Sequence, residues 1–155
     1  MDKEILDAFR EETNQILREL VLVVESLEES SSIFPSDRLT EFAQKIDRIM
    51  GAAKTLGMES PNHMGLKRIG QIAEICKTLG YKASQIKRTE VLPLFAAFWA
   101  DTLEVVSELT EALEDETQSE AIAGRFSQVL QKRLRWLGEK LAALEQAGNA
   151  PKQCD

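Results

Sequence analysis

The sequence predicts an all-α protein, in which four helices form an up-and-down bundle and a fifth, C-terminal helix is added to it. Its 155 residues are rich in good helix formers and include only four prolines and eight glycines. Apolar residues recur at steps of three and four, and turn-forming residues separate these segments. A hydrophobic content of 43% is enough for one core. We therefore expect a single domain over residues 1–147 and a flexible tail over residues 148–155.

The first amphipathic helix is expected from Asp2 to about Ser30. Its apolar stripe consists of Ile5, Phe9, Ile16, Leu20, Val23 and Leu27, with Thr13 filling the one gap. Ser30–Ser32 and Pro35 then interrupt the pattern, because serine favours local turns and proline cannot continue a helix. A second helix follows this break.

The second helix is expected to begin near Ser36 or Asp37 and to end at Gly57, because glycine suits a left-handed cap. Its stripe consists of Leu39, Phe42, Ile46, Ile49, Ala53 and Leu56. A turn at residues 59–62 separates it from a third helix, which we expect to stop at Gly80. The stripe of that helix consists of Leu66, Ile69, Ile72, Ile75, Cys76 and Leu79. So short a turn makes the two helices antiparallel neighbours.

A polar linker over residues 82–88 is expected before the fourth helix, which begins near Glu90 to Pro93. Its apolar stripe consists of Phe95, Phe98, Thr102, Val105, Leu109 and Leu113. Thr117 and Glu120 have the spacing of a capping box, which predicts the start of a fifth helix that ends over residues 147–151. The apolar residues of the fifth helix are Ile122, Phe126, Val129, Leu130, Leu137, Leu141 and Leu144.

The charge of the chain favours a protein partner. A net charge of −7 and a pI near 4.9 argue against nucleic acid as the main partner. No apolar run reaches the roughly 20 residues of a membrane span, and the charged N-terminus is unlike a signal peptide, so we expect a cytoplasmic protein without membrane contact. Cys76 and Cys154 lie in unlike surroundings and are expected to be free thiols. With one histidine in the chain, we expect no metal site and no cofactor.

The most specific pattern runs from Asp47 to Gly57 and reads D-R-I-M-G-A-A-K-T-L-G. It resembles the motif of the histidine phosphotransfer (HPt) domain, a helical bundle that relays phosphoryl groups in bacterial signalling, which is roughly H-x-x-K-G-S/A-S/A-x-x-L/I-G. The positions that match are Gly51, Ala52, Ala53, Leu56 and Gly57. Met50 stands where the motif has lysine, and Asp47 stands where it has the phosphorylated histidine. Over residues 1–115 the likeness is one of helix order, similar to the phosphotransfer domain of chemotaxis kinases.

The resemblance implies a bundle of HPt type that acts in two-component or chemotaxis signalling and is not an enzyme. A carboxylate at position 47 would form an acyl phosphate no more easily than the donor's own aspartate does, so we expect binding without phosphotransfer. The implied partner is the receiver domain of a response regulator or a domain of a histidine kinase. The residues expected to bind it are Gln44, Asp47, Arg48, Met50, Gly51 and Lys54 of the second helix and Lys67, Arg68 and Gln71 of the third.

Gly51 and Met50 have particular parts in this hypothesis. A glycine inside a helix costs about 0.5–1 kcal/mol relative to alanine, so Gly51 needs a reason. Either it leaves room for the partner or it allows two helices to pack closely. Met50 is expected to give the same face an adaptable apolar patch.

Two other residue patterns point to different activities. His63 is the only histidine, but its position in a turn indicates a surface or helix-capping residue, not a phosphoryl acceptor. Glu11 and Asn14 stand three residues apart, which resembles a family of chemotaxis phosphatases that hydrolyse phospho-aspartate on receivers. On a helix these two residues would share a face. A solvated helix surface explains the same pair without any activity.

The fifth helix suggests a structural or oligomerisation module. It is the most basic part of an acidic chain, with Arg125, Lys132, Arg133, Arg135 and Lys140. Trp136 lies among these cations and is expected in the core, the alternative being an interface anchor. The chain is accordingly expected to be a monomer or a homodimer.

Overall fold

The computed structural model describes residues 2–29 and 33–149, the last three by their backbone alone, and these residues contain no β-strand. The five helices are α1 (Lys3–Glu28), α2 (Ser36–Glu59), α3 (Met64–Ile86), α4 (Leu92–Glu111) and α5 (Glu116–Asn149). A 3₁₀ turn, Thr89–Val91, precedes α4. The predicted all-α class and the number of helices are confirmed. None of the described helices combines the length and the apolar content that crossing a membrane requires.

Four of the helices form a closed ring of neighbours. α1 packs against α2 and α4, and α3 packs against α2 and α4, whereas α5 lies outside the ring on α3 and α4. Short connections make consecutive helices in the ring antiparallel. The outer face of α2 therefore points away from the bundle, on the side that α5 does not cover.

Aromatic side chains fill the centre of the ring. Phe42 stacks on Trp99 with ring centroids 4.2 Å apart, and the Phe95 ring lies tilted to Trp99 with centroids 5.5 Å apart. The indole N–H of Trp99 is buried and finds no acceptor among the described residues. Thr13 is buried at the gap in the α1 stripe, as predicted. The core thus joins all four ring helices.

Cys76 is buried between α3 and α4. Its Sγ lies 3.2 Å from Thr102 Oγ1. Burial raises the pKa of the Cys76 thiol from 9.0 to about 12, and the hydrogen bond to Thr102 offsets part of that effect. Cys76 is a free thiol, as predicted, and Cys154 lies outside the described residues.

Two glycines that were predicted to end helices lie inside them. α2 continues past Gly57 to Glu59, and Gly57 has no left-handed backbone. α3 continues past Gly80 to Ile86, so most of the predicted linker over residues 82–88 is helical. Lys87 ends α3 in the left-handed conformation, with φ of 54°. A Cβ at Gly80 would lie 3.5 Å from the Phe42 ring, an ordinary van der Waals contact, so packing does not require a glycine here.

The ends of the other helices agree only partly with the sequence. α4 begins within the predicted segment, with Pro93 in its first turn. The predicted capping box is wrong, because Asp115 Oδ1, not Thr117, accepts the hydrogen bond from the Gln118 amide at 3.0 Å. The backbone of α5 is helical through Asn149, past the predicted domain end at residue 147. The predicted break at Ser30–Ser32 and the tail from residue 150 lie outside the described residues.

Burial corrects two positions of the predicted apolar stripes and the separate prediction that Trp136 lies in the core. Ile5 is exposed, and its neighbour Leu6 takes the buried position in α1. Val129 is 45% exposed. Trp136 is 42% exposed, so the prediction that it belongs to the core is wrong, whereas its neighbour Leu137 is buried as predicted. Neighbouring residues on a helix point about 100° apart, so a shift of one position moves a side chain from core to solvent.

Candidate functional site

The outer face of α2 carries the residues that the motif singles out. Its exposed members are Gln44, Asp47, Arg48, Gly51 and Lys54, and we call them the α2 face. They are exposed because the buried stripe, which includes Phe42, Ile46, Ile49 and Ala53, occupies the opposite side of the helix. Five of the six predicted α2 residues therefore lie on one accessible surface.

Met50 does not belong to the α2 face. It is half-buried and packs against the core, because it follows Ile46 by one helical turn and falls at the edge of the buried stripe. The exposed thioether on this side is Met58, 81% exposed and seven residues after Gly51, a spacing that returns to the same helix face. The predicted apolar patch at Met50 is therefore wrong, and Met58 is the residue that the sequence analysis missed.

Asp47 is paired with a cation that the motif does not contain. Its Oδ1 lies 2.6 Å from Nζ of Lys77 on α3, and about half of each side chain is exposed, 51% for Asp47 and 47% for Lys77. Exposed ion pairs of this kind contribute roughly 0–1 kcal/mol to stability. The fold therefore depends little on Asp47. What the pair does provide is an ammonium group held beside position 47.

Two further ion pairs lie along the borders of the α2 face. Lys54 Nζ lies 3.1 Å from Glu74 of α3, and Arg48 Nη2 lies 3.0 Å from Glu12 of α1. Both pairs join α2 to a neighbouring helix at the surface. The part of the α2 face between these two ion pairs contains Gln44 and Gly51. No ion pair among the described residues crosses it.

Gly51 lies in open space. A Cβ built at Gly51 would meet no atom within 4 Å, whereas one at Gly70 would lie 3.2 Å from Lys54 Cγ. Close packing therefore does not explain Gly51, which removes one of the two reasons that the sequence left open. A glycine in mid-helix costs about 0.5–1 kcal/mol of stability, and at Gly51 no packing contact offsets that cost.

On α3, the structure replaces part of the predicted set. Lys67 and Gln71 are exposed. Arg68 donates to Gln71 Oε1 at 3.1 Å and lines a groove with α5, so it is directed away from the α2 face. The α3 residues beside that face are Glu74 and Lys77.

The α3 partners could have been found from the turn. In an antiparallel helix pair, residues equally distant from the centre of the connection lie side by side. Asp47 and Lys77 are each 15 residues from Asn62, which lies in the α2–α3 turn. Extending α3 beyond Gly80 would have kept Lys77 well inside the helix and made it a candidate.

His63 is the N-cap of α3, in agreement with the predicted capping role. Its Nδ1 accepts a hydrogen bond from the Leu66 amide at 3.2 Å, which satisfies one of the free N–H groups of the first turn. The ring lies at the end of the bundle, in a cleft with Leu6, Leu113 and Glu116, away from the α2 face.

Glu11 and Asn14 do not form one site. Asn14 Nδ2 donates to Glu111 Oε1 at 3.0 Å and lies in the groove between α1 and α4. Glu11 lines the groove between α1 and α2, beside Arg48. The two side chains line different grooves, and the Asn14 amide is already engaged by Glu111.

The described residues contain no group of three or more His, Cys, Asp or Glu side chains placed to hold a metal ion. In comparisons with known proteins, the chain matches no family model, no curated protein and no solved structure. The case for a function therefore depends on the geometry of the α2 face.

Proposed function

We propose that this protein is a helical binding module of HPt type, which docks a response-regulator receiver or a histidine-kinase domain through the α2 face without accepting a phosphoryl group. The observation that carries this proposal is Gly51. It is an exposed glycine in mid-helix with open space around it, one turn after the residue that stands in the phosphoacceptor position.

The shape of the α2 face supports docking. A partner helix can approach most closely where no side chain projects, and Gly51 provides such a place between the ion pairs of Arg48 and Lys54. Met58 adds an exposed, flexible apolar side chain on the same side. The surrounding charges of both signs suit a polar interface rim.

The chemistry at position 47 supports binding without transfer. Moving a phosphoryl group from a receiver aspartate to Asp47 would exchange one acyl phosphate for another, so no free energy would favour the transfer. The Asp47 carboxylate is also engaged by Lys77 at 2.6 Å. A nucleophile would have to leave that cation before attack, which adds to the barrier.

The test combines binding and label transfer. Receiver domains from the same organism are prepared unphosphorylated and with radiolabelled phospho-aspartate, and each is mixed with the protein. We expect at least one receiver to form a complex while the label stays on the receiver with its usual lifetime. Label on this protein would contradict the proposal, and faster loss of label from the receiver would favour a phosphatase.

The site is tested with Gly51→Phe, whose side chain would project into open space and leave the core untouched. Gly138→Phe is the matched control, because Gly138 is also an exposed glycine in mid-helix, with no atom within 4 Å of a built Cβ. We expect Gly51→Phe to abolish the complex and Gly138→Phe to retain it, with both variants folded by circular dichroism. Equal binding by both would overturn the assignment to the α2 face.

A further inference from the structure

The outward side of α5 presents cations around an exposed tryptophan. Val129, Lys132, Trp136 and Lys140 follow one another at steps of three and four, so they lie on one side of the helix, and all four are exposed. We call them the α5 basic face. Lys132 and Lys140 form no ion pair with the described residues.

Two other α5 cations have a different role. Arg125 Nη2 lies 3.7 Å from Glu108, and Arg133 pairs with Asp101, so both are joined to α4. These pairs orient α5 on the bundle and leave the α5 basic face directed outwards. The face thus combines unpaired cations with an exposed tryptophan, a residue type that is enriched at the centres of protein interfaces.

The last turns of α1 have the opposite character. Leu22 is 67% exposed, and Glu25, Glu28 and Glu29 follow it on the surface without an ion pair to any described residue. We call these four residues the α1 acidic face. The last turn of α1 contains no basic residue.

This arrangement is unfavourable in an isolated chain. Acidic groups at the C-terminal end of a helix oppose its dipole, and Glu25 repels Glu28 and Glu29 at three and four residues' distance. Cations from outside would remove both penalties. The α5 basic face of the same chain does not supply them, because its lysines remain unpaired.

We propose that the α5 basic face of one copy docks on the α1 acidic face of a second copy. Trp136 packs on Leu22, and the lysine that lies one turn from Trp136 towards the C-terminal end of α1 meets the glutamates. An anionic membrane fits these observations less well, because the chain carries a net charge of −7 and the face has a single, half-exposed aromatic side chain.

The contact joins the α5 basic face of one copy to the α1 acidic face of another. A dimer therefore still has one free face of each type. The contact thus builds a closed ring or an open chain of copies. None of the five residues of the α2 face takes part in the contact, which joins α1 and α5. The proposal stands independently of the receiver-binding function.

The test is sedimentation velocity of the full chain and of two charge-reversed variants. In one variant Lys132→Glu and Lys140→Glu are combined; in the other, Glu25→Lys and Glu29→Lys are combined. We expect the unaltered chain to gain mass with concentration and to lose it at high salt. Each variant alone has faces of like charge and is expected to stay monomeric, whereas an equimolar mixture of the two regains association.

Trp136→Ala is expected to weaken association by about tenfold, because it removes the apolar centre of the contact. Lys3→Glu combined with Lys82→Glu is the control; both lysines are exposed and lie on neither face, and this variant is expected to associate normally. All substituted positions are exposed, and circular dichroism checks the folds.

A chain that stays monomeric at all concentrations, or a mixture that fails to regain mass, would overturn the proposal. Binding of the monomeric chain to phosphatidylglycerol vesicles, lost in the Lys132→Glu, Lys140→Glu variant, would overturn it in favour of a membrane surface.

Discussion

At the scale of single residues, the Asp47–Lys77 pair is the point where the structure adds most to the motif. The motif lacks its lysine at Met50, yet an ammonium group from α3 lies 2.6 Å from the Asp47 carboxylate. A cation beside position 47 is able to neutralise oxygens of an incoming phosphoryl group. Under the proposed function, the α2 face therefore has a cation beside position 47 but no imidazole nucleophile there.

Supplying that nucleophile gives the first prediction. Asp47→His places an imidazole beside Lys77, and its nitrogen would attack the receiver's acyl phosphate while the aspartate leaves as carboxylate. If the receiver docks on the α2 face with its phospho-aspartate over position 47, the variant is expected to acquire radiolabel that is stable to alkali and labile to acid. Asp47→Asn is the control and is expected to stay unlabelled. Binding by Asp47→His without any label would contradict docking in this orientation.

The buried thiol gives a prediction about pH. The native pKa of Cys76 is about 12, against 9.0 for a free thiol, so between these values the unfolded chain loses a proton that the folded chain keeps. The contribution of Cys76 to stability is complete below pH 9.0 and is lost as pH rises towards 12. The loss is about 1.4 kcal/mol per pH unit.

Urea unfolding of the wild type and of Cys76→Ala at a series of pH values isolates this effect from other groups that titrate in the same range. Below pH 9.0 the alanine variant is expected to be less stable by a constant amount, which reflects its cavity. Above that pH the difference between the two proteins is expected to shrink. A constant difference up to pH 11 would show that the thiol ionises without unfolding.

At the scale of helices, the stripes were predictable and the ends were not. The periodicity of α2 identifies Phe42, Ile46 and Ile49 as core from the sequence alone, and all three are buried. Gly80 was misread as a stop because a glycine after an apolar stripe resembles a helix cap, whereas α3 continues to Ile86. Lys77 was missed as a partner of Asp47 for the same reason, since the early stop placed it at the end of the predicted helix.

The candidate site was predictable to a similar degree. Exposure of Gln44, Asp47, Arg48, Gly51 and Lys54 follows from the phase of the α2 stripe. The prediction that Met50 is exposed was wrong because this residue falls at the boundary of that stripe, where packing against neighbouring side chains decides burial. Sequence spacing also could not show that Glu11 and Asn14 turn into different grooves, because that depends on where α2 and α4 lie around α1.

The start of α3 gives a prediction at this scale. His63→Ala removes the side chain that accepts the Leu66 amide, and it is expected to cost about 0.5–2 kcal/mol of stability. His63→Asn is the control, because asparagine is a good N-cap and is expected to restore most of the loss. Thermal unfolding measures both variants. If His63 acts only as a cap, neither variant changes receiver binding or labelling; a lost activity in His63→Asn would contradict that role.

At the scale of the whole molecule, the helices differ in how many of their side chains are buried in the bundle. α1 buries nine residues along its 26-residue length. Among the described side chains of the 34-residue α5, the buried apolar ones are Ile122, Phe126, Leu137 and Leu141. A helix with few buried contacts opens at a lower free energy than the core helices do.

We therefore expect α5 to open separately, before the ring of four helices unfolds. Its other attachments are the partly buried Leu130, Leu134 and Leu144, a hydrogen bond of 2.8 Å from Ser119 to the Ala112 carbonyl, surface ion pairs to α4 and a hydrogen bond of 3.1 Å from Arg88 to the Leu144 carbonyl. Exposed ion pairs hold it only weakly. In hydrogen exchange, amides of residues 127–146 are expected to exchange at least about tenfold faster than those in the middle of α1, equivalent to about 1.4 kcal/mol.

The measurement is made on dilute protein, because the proposed contact between copies would cover α5 and slow its exchange. Raising the concentration then serves as an internal comparison: protection is expected to increase on the α5 basic face and on the last turns of α1 together, and to stay unchanged along α2. Equal exchange of α5 and α1 in dilute protein would contradict separate opening and show that all five helices unfold as one unit.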